Sequence, residues 1–461
     1  MFKSWTSSLL AVSVGLATPL SAIAQDSIDY KEQEKLHEIA GAMQADRIES
    51  DIQTLVDFGT RHTLSETESD TRGIGAARRW IYAEFERISE ACGGCLEVMY
   101  VSDTISGEER IPDPVEVKSV IAVQRGKTDP NRYVMMSGDI DSRVSDVMDY
   151  TSDAPGANDN ASGVAGALEA ARVLTQYEFD GSIVYAALAG EEQGLFGGKI
   201  LAKKAKDDDW HLTAVLNNDM IGNIEGINGV IDNTTARIFA EGTRMNESDR
   251  EATMRRFYGG EVDSPSRNLA RYIDTVADRY INNLDTMIVY RLDRFGRGGH
   301  HRPFNDLGYA GIRIMETNEN YNRQHQDLRV EDGIEYGDTI DGVDFDYAAK
   351  LTALNAVSMA SMSWAPRPPA NVEIEGAVKP DTTLRWTAQE EDKENIAGYK
   401  VYWRLTSAPQ WQFSRYVGNV NEYTLENVVI DNYIFGVASV SNDGFESPVV
   451  FPGPAGTFSI E

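Results

Sequence analysis

Residues 181–195 of this chain read Gly-Ser-Ile-Val-Tyr-Ala-Ala-Leu-Ala-Gly-Glu-Glu-Gln-Gly-Leu. The run at 183–189 is apolar on both faces, which is typical of a central strand in a sheet that helices cover. Glu191 and Glu192 follow almost at once. Because adjacent carboxylates repel each other, such a pair directly after a buried strand favours a compensating cation. The alternative is a solvated turn, since exposed glutamate pairs are common.

The same pattern extends in both directions from this strand. Further short apolar runs lie at 119–123, 133–136, 214–216 and 312–315. Segments whose apolar residues recur at helical spacing lie between these runs, and one of them predicts a helix at 164–174. Two amphipathic helices are predicted ahead of the first run, at 48–55 and 74–88. Strands that alternate with helices predict an α/β fold, in which helices cover both faces of a sheet.

The chain changes character at a proline-rich break, 364–369, which reads Trp-Ala-Pro-Arg-Pro-Pro and cannot continue a helix. Beyond it, alternating residues around Trp386, Tyr399 and Tyr433 predict strands. This part, roughly the last fifth of the chain, resembles a fibronectin type III domain, which implies a small all-β sandwich. The partner of such a domain is left open. The expected domains are 25–364 and 365–461.

Charge excludes two classes of partner. The formal net charge is −30, from 73 acidic and 43 basic residues. A field of that sign repels nucleic acids and anionic membranes, so neither is expected as a partner.

The first 24 residues have the layout of a signal peptide. Lys3 precedes an apolar run that ends in Ser21-Ala22-Ile23-Ala24, and cleavage is expected after Ala24. A membrane anchor is the alternative. No later stretch is long and apolar enough to span a bilayer, so we expect an exported protein, periplasmic or extracellular.

The two cysteines, Cys92 and Cys95, form the sequence Cys-Gly-Gly-Cys. In an exported chain a local disulfide is favoured, because the compartment is oxidising and no second cysteine pair completes a zinc site. In a reducing compartment the same sequence would suggest redox or metal chemistry.

Residues with metal-ligand character lie where the predicted strands end. They are Asp139, Asp141, Asp159, Glu191, Glu192, Asp219 and, further along, His325. In open α/β sheets ligands bind at the carboxyl ends of the strands, so this placement favours a site over scattered surface charge. Metal-assisted hydrolysis needs such ligands and a carboxylate that moves a proton from water to the leaving amine.

Five motifs occur in the order found in zinc exopeptidases of the bacterial leucyl aminopeptidase type. They are Pro155-Gly156-Ala157-Asn158-Asp159-Asn160-Ala161-Ser162-Gly163, Glu191-Glu192-Gln193-Gly194-Leu195, Asn218-Asp219-Met220, His301-Arg302-Pro303-Phe304 with Gly308-Tyr309, and His325. Several separated motifs in one order are far more specific than any single one, so the chain resembles this family over most of 48–364. The resemblance implies a mixed, mostly parallel sheet, zinc as cofactor and a peptide or protein substrate.

The resemblance also implies a role for each matching residue. Asp159 would bridge two zinc ions, and Glu192 and His325 would complete the first site. Asp219 would join the second site, and Glu191 would be the general base. The first site is then two carboxylates and one imidazole with an open position for water, as catalytic zinc requires.

The second site departs from the family pattern. Where the family has a histidine ligand in His-x-Asp-Ser, this chain has Asp139-Ile140-Asp141-Ser142. Asp141 is still expected to contact the ligands and not the metal itself. With Asp139, Asp159 and Asp219 the second site would be all oxygen. It would prefer manganese, magnesium or calcium over zinc, or stay empty.

A second departure is His300, which stands at the acidic position of the family's Asp-His pair. Whether His300 replaces the missing imidazole ligand is left open. His301 is expected behind the ligands or facing the substrate.

Three functions are consistent with these residues. The first is an exported aminopeptidase with Glu191 as general base. The second is a carboxypeptidase or glutaminyl cyclase-like enzyme, because relatives of this fold work with one zinc held by equivalents of Asp159, Glu192 and His325. The third is a peptide-binding protein with reduced catalysis, although a retired enzyme has no need of the costly Glu191–Glu192 pair.

Side-chain specificity is left open, because the loops that form it cannot be derived from sequence. Residues flanking the motifs would bind a substrate carboxylate or carbonyl, or would neutralise the acidic site. They are Arg143, Arg297, Arg302, Arg323 and Tyr321.

Overall fold

The structure, a computed structural model, describes residues 33–391 and 393–454; the predicted signal peptide at 1–24 lies outside the described residues. The helices are α1 (Glu34–Gly41), α2 (Ala45–Asp57), α3 (Gly73–Ala91), α4 (Ser162–Leu174), α5 (Phe196–Asp207), α6 (Asp249–Tyr258), α7 (Pro265–Tyr280), α8 (Arg302–Asp306) and α9 (Phe345–Trp364). Within the described ranges, no helix combines the length and the apolar character needed to cross a membrane.

An eight-stranded mixed sheet lies at the centre of the larger part. Up to α9 the strands are β1 (Leu96–Ile105), β2 (Val115–Gln124), β3 (Asp129–Asp139), β4 (Gly181–Leu188), β5 (His211–Asn218), β6 (Thr235–Phe239), β7 (Asp285–Val289), β8 (Gly311–Glu316), β9 (Arg329–Glu331) and β10 (Ile334–Tyr336). The order in the sheet is β1-β2-β4-β3-β5-β8-β6-β7, and β9 pairs with β10 separately.

The four central strands, β4, β3, β5 and β8, run parallel to one another. Antiparallel pairings lie toward the ends of the sheet, where β2 joins β4 and β6 joins β8. The predicted mixed, mostly parallel sheet is therefore confirmed.

Helices cover both faces of this sheet, as predicted. Along β3, Val134 and Met136 join the core that contains α2, α4 and α9, whereas Tyr133 and Met135 join a second core with α5 and α8. Side chains of a strand alternate between its two faces. A strand buried on both faces must therefore be apolar at successive positions, which is the pattern of the predicted central strands.

The turn at 157–161, which carries Asp159, and the first turn of α4 that follows it are pressed against the end of β3. A Cβ atom on Gly138 would lie 2.3 Å from the carbonyl carbon of Gly163, so only glycine permits this approach. Asn160 then donates from Nδ2 to the Asp139 carboxylate and to the carbonyl of Asn218, at 2.7 Å each. The turn is thereby fixed at the carboxyl ends of β3 and β5.

Two small sheets follow α9 and confirm the predicted sandwich-like region. Their strands are β11 (Ala370–Glu375), β12 (Thr382–Thr387), β13 (Ile396–Leu405), β14 (Phe413–Gly418), β15 (Glu422–Leu425), β16 (Tyr433–Ser441) and β17 (Gly453–Pro454). One sheet has the order β15-β12-β11-β17 and the other β14-β13-β16. Leu384 and Trp386 of the first share a core with Tyr399, Val401 and Phe435 of the second.

A buried ion-pair network joins the small sheets to the larger part. Asp263, which precedes α7, contacts Arg271 of α7 at 2.9 Å and Arg404 of β13 at 2.8 Å. None of these three side chains is more than 1% exposed. Charges buried to this degree are tolerated because they are paired, so the network anchors one part to the other.

Candidate metal centre

Three parallel strands bring acidic side chains to one edge of the sheet. Asp139 is the last residue of β3, and Asp219 directly follows β5. Glu191 and Glu192 follow β4 after a two-residue turn. Because the carboxyl ends of parallel strands meet at the same edge, these carboxylates converge there.

Asp159, Glu192 and His325 form one cluster with the character of a metal site. Nε2 of His325 lies 2.9 Å from Oδ2 of Asp159 and 2.8 Å from Oε1 of Glu192. One ligand atom from each residue lies within 4.8 Å of the other two. Ligand atoms around tetrahedral zinc lie about 3.3 Å apart, given bonds of about 2.0 Å. The donor set and its spacing therefore fit zinc.

Arg143 fixes the orientation of two of these ligands. Its Nη2 donates to Nδ1 of His325 at 2.6 Å, and its Nε donates to Oε2 of Glu192 at 2.7 Å. Burial lowers the pKa of His325, but the carboxylates of Glu192 and Asp159 outweigh it and raise the pKa to about 9. The contact with Arg143 opposes that proton, because a guanidinium only donates.

Buried acids hold the two ligand-bearing turns from behind. Asp141 accepts the backbone N–H groups of Glu191 and Glu192 at 3.1 and 2.9 Å. Asp338 accepts the backbone N–H of Asp159 at 2.7 Å. Burial raises the pKa of Asp141 to about 6 and that of Asp338 to about 7.

A third buried acid, Glu316 at the end of β8, holds the residue that precedes Asp159. Nδ2 of Asn158 donates to both carboxylate oxygens of Glu316, at 3.1 and 2.9 Å, and the N–H of Asn223 adds a contact at 2.7 Å. Burial raises the pKa of Glu316 to about 8.

Glu191 lines a cleft of about 550 Å³ that also contains the three ligands. Burial raises the pKa of Glu191 well above its ordinary value, and the charges of Glu192 and Asp219 act in the same direction. A carboxyl group with a raised pKa, beside a metal site, is suited to general acid–base catalysis.

Asp219 is bound by an arginine. The fully buried Arg313 of β8 has its Nη2 2.9 Å from Oδ1 of Asp219, and its Nη1 lies 3.2 Å from Oδ1 of Asp293. Burial raises the pKa of Asp219 to about 7, although Arg313 acts in the opposite direction. Among the residues that the structure describes, neither Asp139 nor Asp219 belongs to a cluster with metal-ligand spacing.

His300 lies beside Asp139. Its Nε2 is 3.5 Å from Oδ1 of Asp139, and its Nδ1 accepts the N–H of Gly198 at 3.1 Å. Burial lowers the pKa of His300 to about 3 and raises that of Asp139, which Asp219 also raises. The two residues that depart from the family pattern are therefore neighbours. This chain has the carboxylate at 139 and the imidazole at 300, whereas the family pattern has the imidazole at 139 and the carboxylate at 300.

His301 is buried and has a different environment. Its Nε2 donates to the carbonyl of Leu292 at 2.9 Å and lies 3.6 Å from Oδ2 of Asp293, which Arg313 also contacts. Sequence reasoning missed Arg313 and Asp293. The available signal was a charged residue inside the apolar run at 312–315.

Comparison with known proteins agrees with this geometry. The model of peptidase family M28 matches residues 119–337. A protein of Leptosphaeria maculans named a probable zinc metalloprotease is 45% identical over 423 residues, which are 92% of this chain and 97% of that one. A protein of Pyricularia oryzae with the same name is 41% identical and covers 90% of this chain and 83% of its own length.

Among solved structures, the Legionella pneumophila LapA aminopeptidase has the same fold. Its TM-score is 0.53 at 18% sequence identity, and the match covers 73% of this chain and 76% of that one. LapB of the same organism gives a TM-score of 0.52 at 19% identity, over 74% of this chain and 78% of that one. With the full-length relatives and the cluster of Asp159, Glu192 and His325, this chain belongs to peptidase family M28, as a zinc metallopeptidase.

Proposed function

We propose that this protein is an aminopeptidase, which removes residues from the free N-termini of peptides. The observation that carries the proposal is the cluster of Asp159, Glu192 and His325 beside Glu191 in a cleft of about 550 Å³. A cleft of that volume suits a chain end or a small ligand. Glu191 and Asp219 on its floor offer carboxylate oxygens that would accept hydrogen bonds from the ammonium group of a free N-terminus.

Residues of the chain supply the proton transfers. Zinc at the cluster would supply Lewis-acid activation of the scissile carbonyl and of a water molecule. Glu191 would accept a proton from that water and deliver it to the nitrogen of the scissile bond, which leaves as the new N-terminal amine of the shortened peptide. Asp141 would keep Glu191 in place through its backbone N–H.

We also propose that each chain uses one metal ion. Arg313 already supplies a positive charge at Asp219, the role that a second ion would have there. The carboxylate of Asp139 accepts a hydrogen bond from Asn160, and its other oxygen lies 3.5 Å from Nε2 of His300. Metal analysis by inductively coupled plasma mass spectrometry should find about one ion per chain, whereas co-catalytic sites hold two.

We further propose that the protein is exported and that 365–461 is a fibronectin type III domain. Export is supported by the signal-peptide pattern at 1–24 and by the Cys92–Cys95 disulfide after α3, since disulfides persist in oxidising compartments. N-terminal sequencing of the natural protein should begin at Gln25. A fibronectin type III identity for 365–461 is supported by the two facing sheets around Trp386 and Tyr399.

The decisive experiment is mass spectrometry of a peptide pool with free, N-blocked and C-blocked ends. Ladders shortened from free N-termini, and absent with Glu191→Gln, would establish the aminopeptidase. Shortening from the C-terminus would instead indicate a carboxypeptidase, and loss of ammonia from an N-terminal glutamine would indicate a cyclase. Intact peptides after supplementation with zinc and manganese would favour a peptide-binding protein.

A further inference from the structure

Basic side chains line the cleft in unusual number. They are Arg110, Arg143, Lys199, Arg294, Arg297 and Arg302. The whole chain carries a formal charge of −30, so this concentration of positive charge runs against its composition. The carboxylates of the same cleft are Asp159, Glu191, Glu192, Asp219 and Asp306. Acids therefore do not outnumber bases here, even before the charge of a bound divalent ion is added.

Four of the five acids lie deeper than four of the six bases. The side chains of Asp159, Glu192 and Asp219 are 11%, 7% and 4% exposed. Arg297 and Arg302, by contrast, are exposed at the mouth. Asp306 is the one exposed acid of this lining, so a peptide that enters meets mainly positive charge at the mouth and negative charge at the floor.

Three of the bases already have partners within the protein. Arg143 contacts Glu192 at 2.7 Å, and Arg294 contacts Glu319 at 2.9 Å. Arg110 donates to the backbone carbonyl of Glu192 at 2.7 Å. The contacts of Arg143 and Arg110 support the turn that carries Glu192, and all three contacts leave little capacity for a substrate.

The remaining three bases are open to a ligand. Within 33–391 and 393–454, Arg297 and Arg302 make no ion pair and no side-chain hydrogen bond. Lys199, which is also exposed, lies over the ring of Phe196 at 4.6 Å, a contact that leaves its ammonium group accessible. Neutralising the acidic floor does not need these three residues, because Arg143, Arg294 and Arg313 already contact it or its neighbours.

We propose that the cleft selects peptides that carry a carboxylate next to the bond being cut, an inference that rests on the proposed aminopeptidase function. The substrate's amine would lie at the acidic floor and its carboxylate at the mouth. A guanidinium binds a carboxylate through two parallel hydrogen bonds, and Arg297 and Arg302 both offer this geometry. The carboxylate belongs either to an acidic side chain or to the free C-terminus of a dipeptide.

The test uses peptide pairs that differ only in one charge. In one pair the N-terminal residue is glutamate or glutamine. In another pair the residue after the scissile bond is glutamate or glutamine. The last pair is one dipeptide with a free or an amidated C-terminus. For each pair, kcat/KM is measured with the wild-type enzyme and Kd with Glu191→Gln, at constant salt. We expect the carboxylate member of at least one pair to be favoured about tenfold, and that pair identifies the source of the carboxylate.

Charge variants locate the effect. The double variant Arg297→Gln/Arg302→Gln should reduce the preference to about threefold or less, because it removes the bidentate donors. Arg250→Gln/Arg256→Gln is the matched control, since it removes two exposed positive charges from α6, outside the cleft lining. The control should keep the full preference.

Failure of this inference is distinct from failure of the proposed function. Peptides that are cut without charge preference, or with preference for the amide, would overturn the inference and leave the aminopeptidase intact. If nothing is cut, the Kd values decide. Tighter binding of the carboxylate member then supports the selectivity although the enzymatic proposal has failed, and equal Kd values overturn both.

Discussion

Replacement of Arg313 by methionine tests whether a guanidinium takes the place of a metal ion. Arg313 is fully buried and contacts Asp219 at 2.9 Å and Asp293 at 3.2 Å, so methionine removes the charge with little loss of volume. Removing one partner of a buried ion pair costs about 3–5 kcal/mol, because the other charge stays buried without compensation. Asp219 loses the cation that contacts it, whereas Asp293 keeps Arg294 at 3.7 Å, so we expect a loss within that range.

Divalent metal should restore part of this stability. In Arg313→Met the carboxylate of Asp219 has no fixed cation, and Asp139 and Asp159 lie nearby, so the variant should acquire a second metal site. A ligand that binds only the folded state at a hundredfold excess over Kd adds about 2.7 kcal/mol. Metal content should rise from about one to about two ions per chain.

The assay is urea unfolding followed by tryptophan fluorescence, with and without manganese or zinc, together with metal analysis. Arg132→Met is the matched control, because Arg132 is 1% exposed and lies near the opposite end of β3. It should destabilise the protein without recovery by metal. A loss below about 1 kcal/mol for Arg313→Met, or about two ions in the wild-type chain, would refute the reasoning.

Three other outcomes are expected. Glu191→Gln should lower kcat by about 10²–10⁴-fold with unchanged metal content, because it removes a proton carrier and not a ligand; unchanged kcat would contradict its role. Asp263→Asn leaves Arg271 and Arg404 buried without a counter-ion and should cost about 3–5 kcal/mol in urea unfolding; a cost within error would show that the network does not anchor the small sheets. The pKa of Glu316 is raised from 4.5 to about 8, so the folded state binds more protons than the unfolded state between these values. The free energy of unfolding should therefore fall as pH rises through that window, and Glu316→Gln should flatten the slope.

The centre of the sheet was more predictable than its edges, for a physical reason. Strands β3, β4 and β5 are buried on both faces and give short runs that are apolar at every position. Strand β1 lies at the edge of the sheet and exposes most of its residues, and β7 at the other edge is also largely accessible. Neither had to be apolar, so neither gave the signal by which the central strands were recognised.

The residues of the candidate metal site were predictable because each lies in a short motif, whereas the residues that contact them come from other elements. Arg313 lies within a run that correctly predicts a strand. Because its neighbours in that run are apolar, the run gave no indication that Arg313 contacts Asp219. The contact between His300 and Asp139 depends on how a loop meets a strand far away in the sequence. Such a contact is a property of the tertiary fold, which no local pattern contains.

The juxtaposition of Asp139 and His300 also limits the evolutionary routes to this site. From a histidine at 139 and an acid at 300, the exchange takes two substitutions, and their order matters. Changing position 139 first would bury two carboxylates against each other, which is costly. Changing position 300 first would place two neutral imidazoles together, which is milder. The two positions should therefore covary among relatives, with paired histidines as the tolerated intermediate and paired acids as the rare combination.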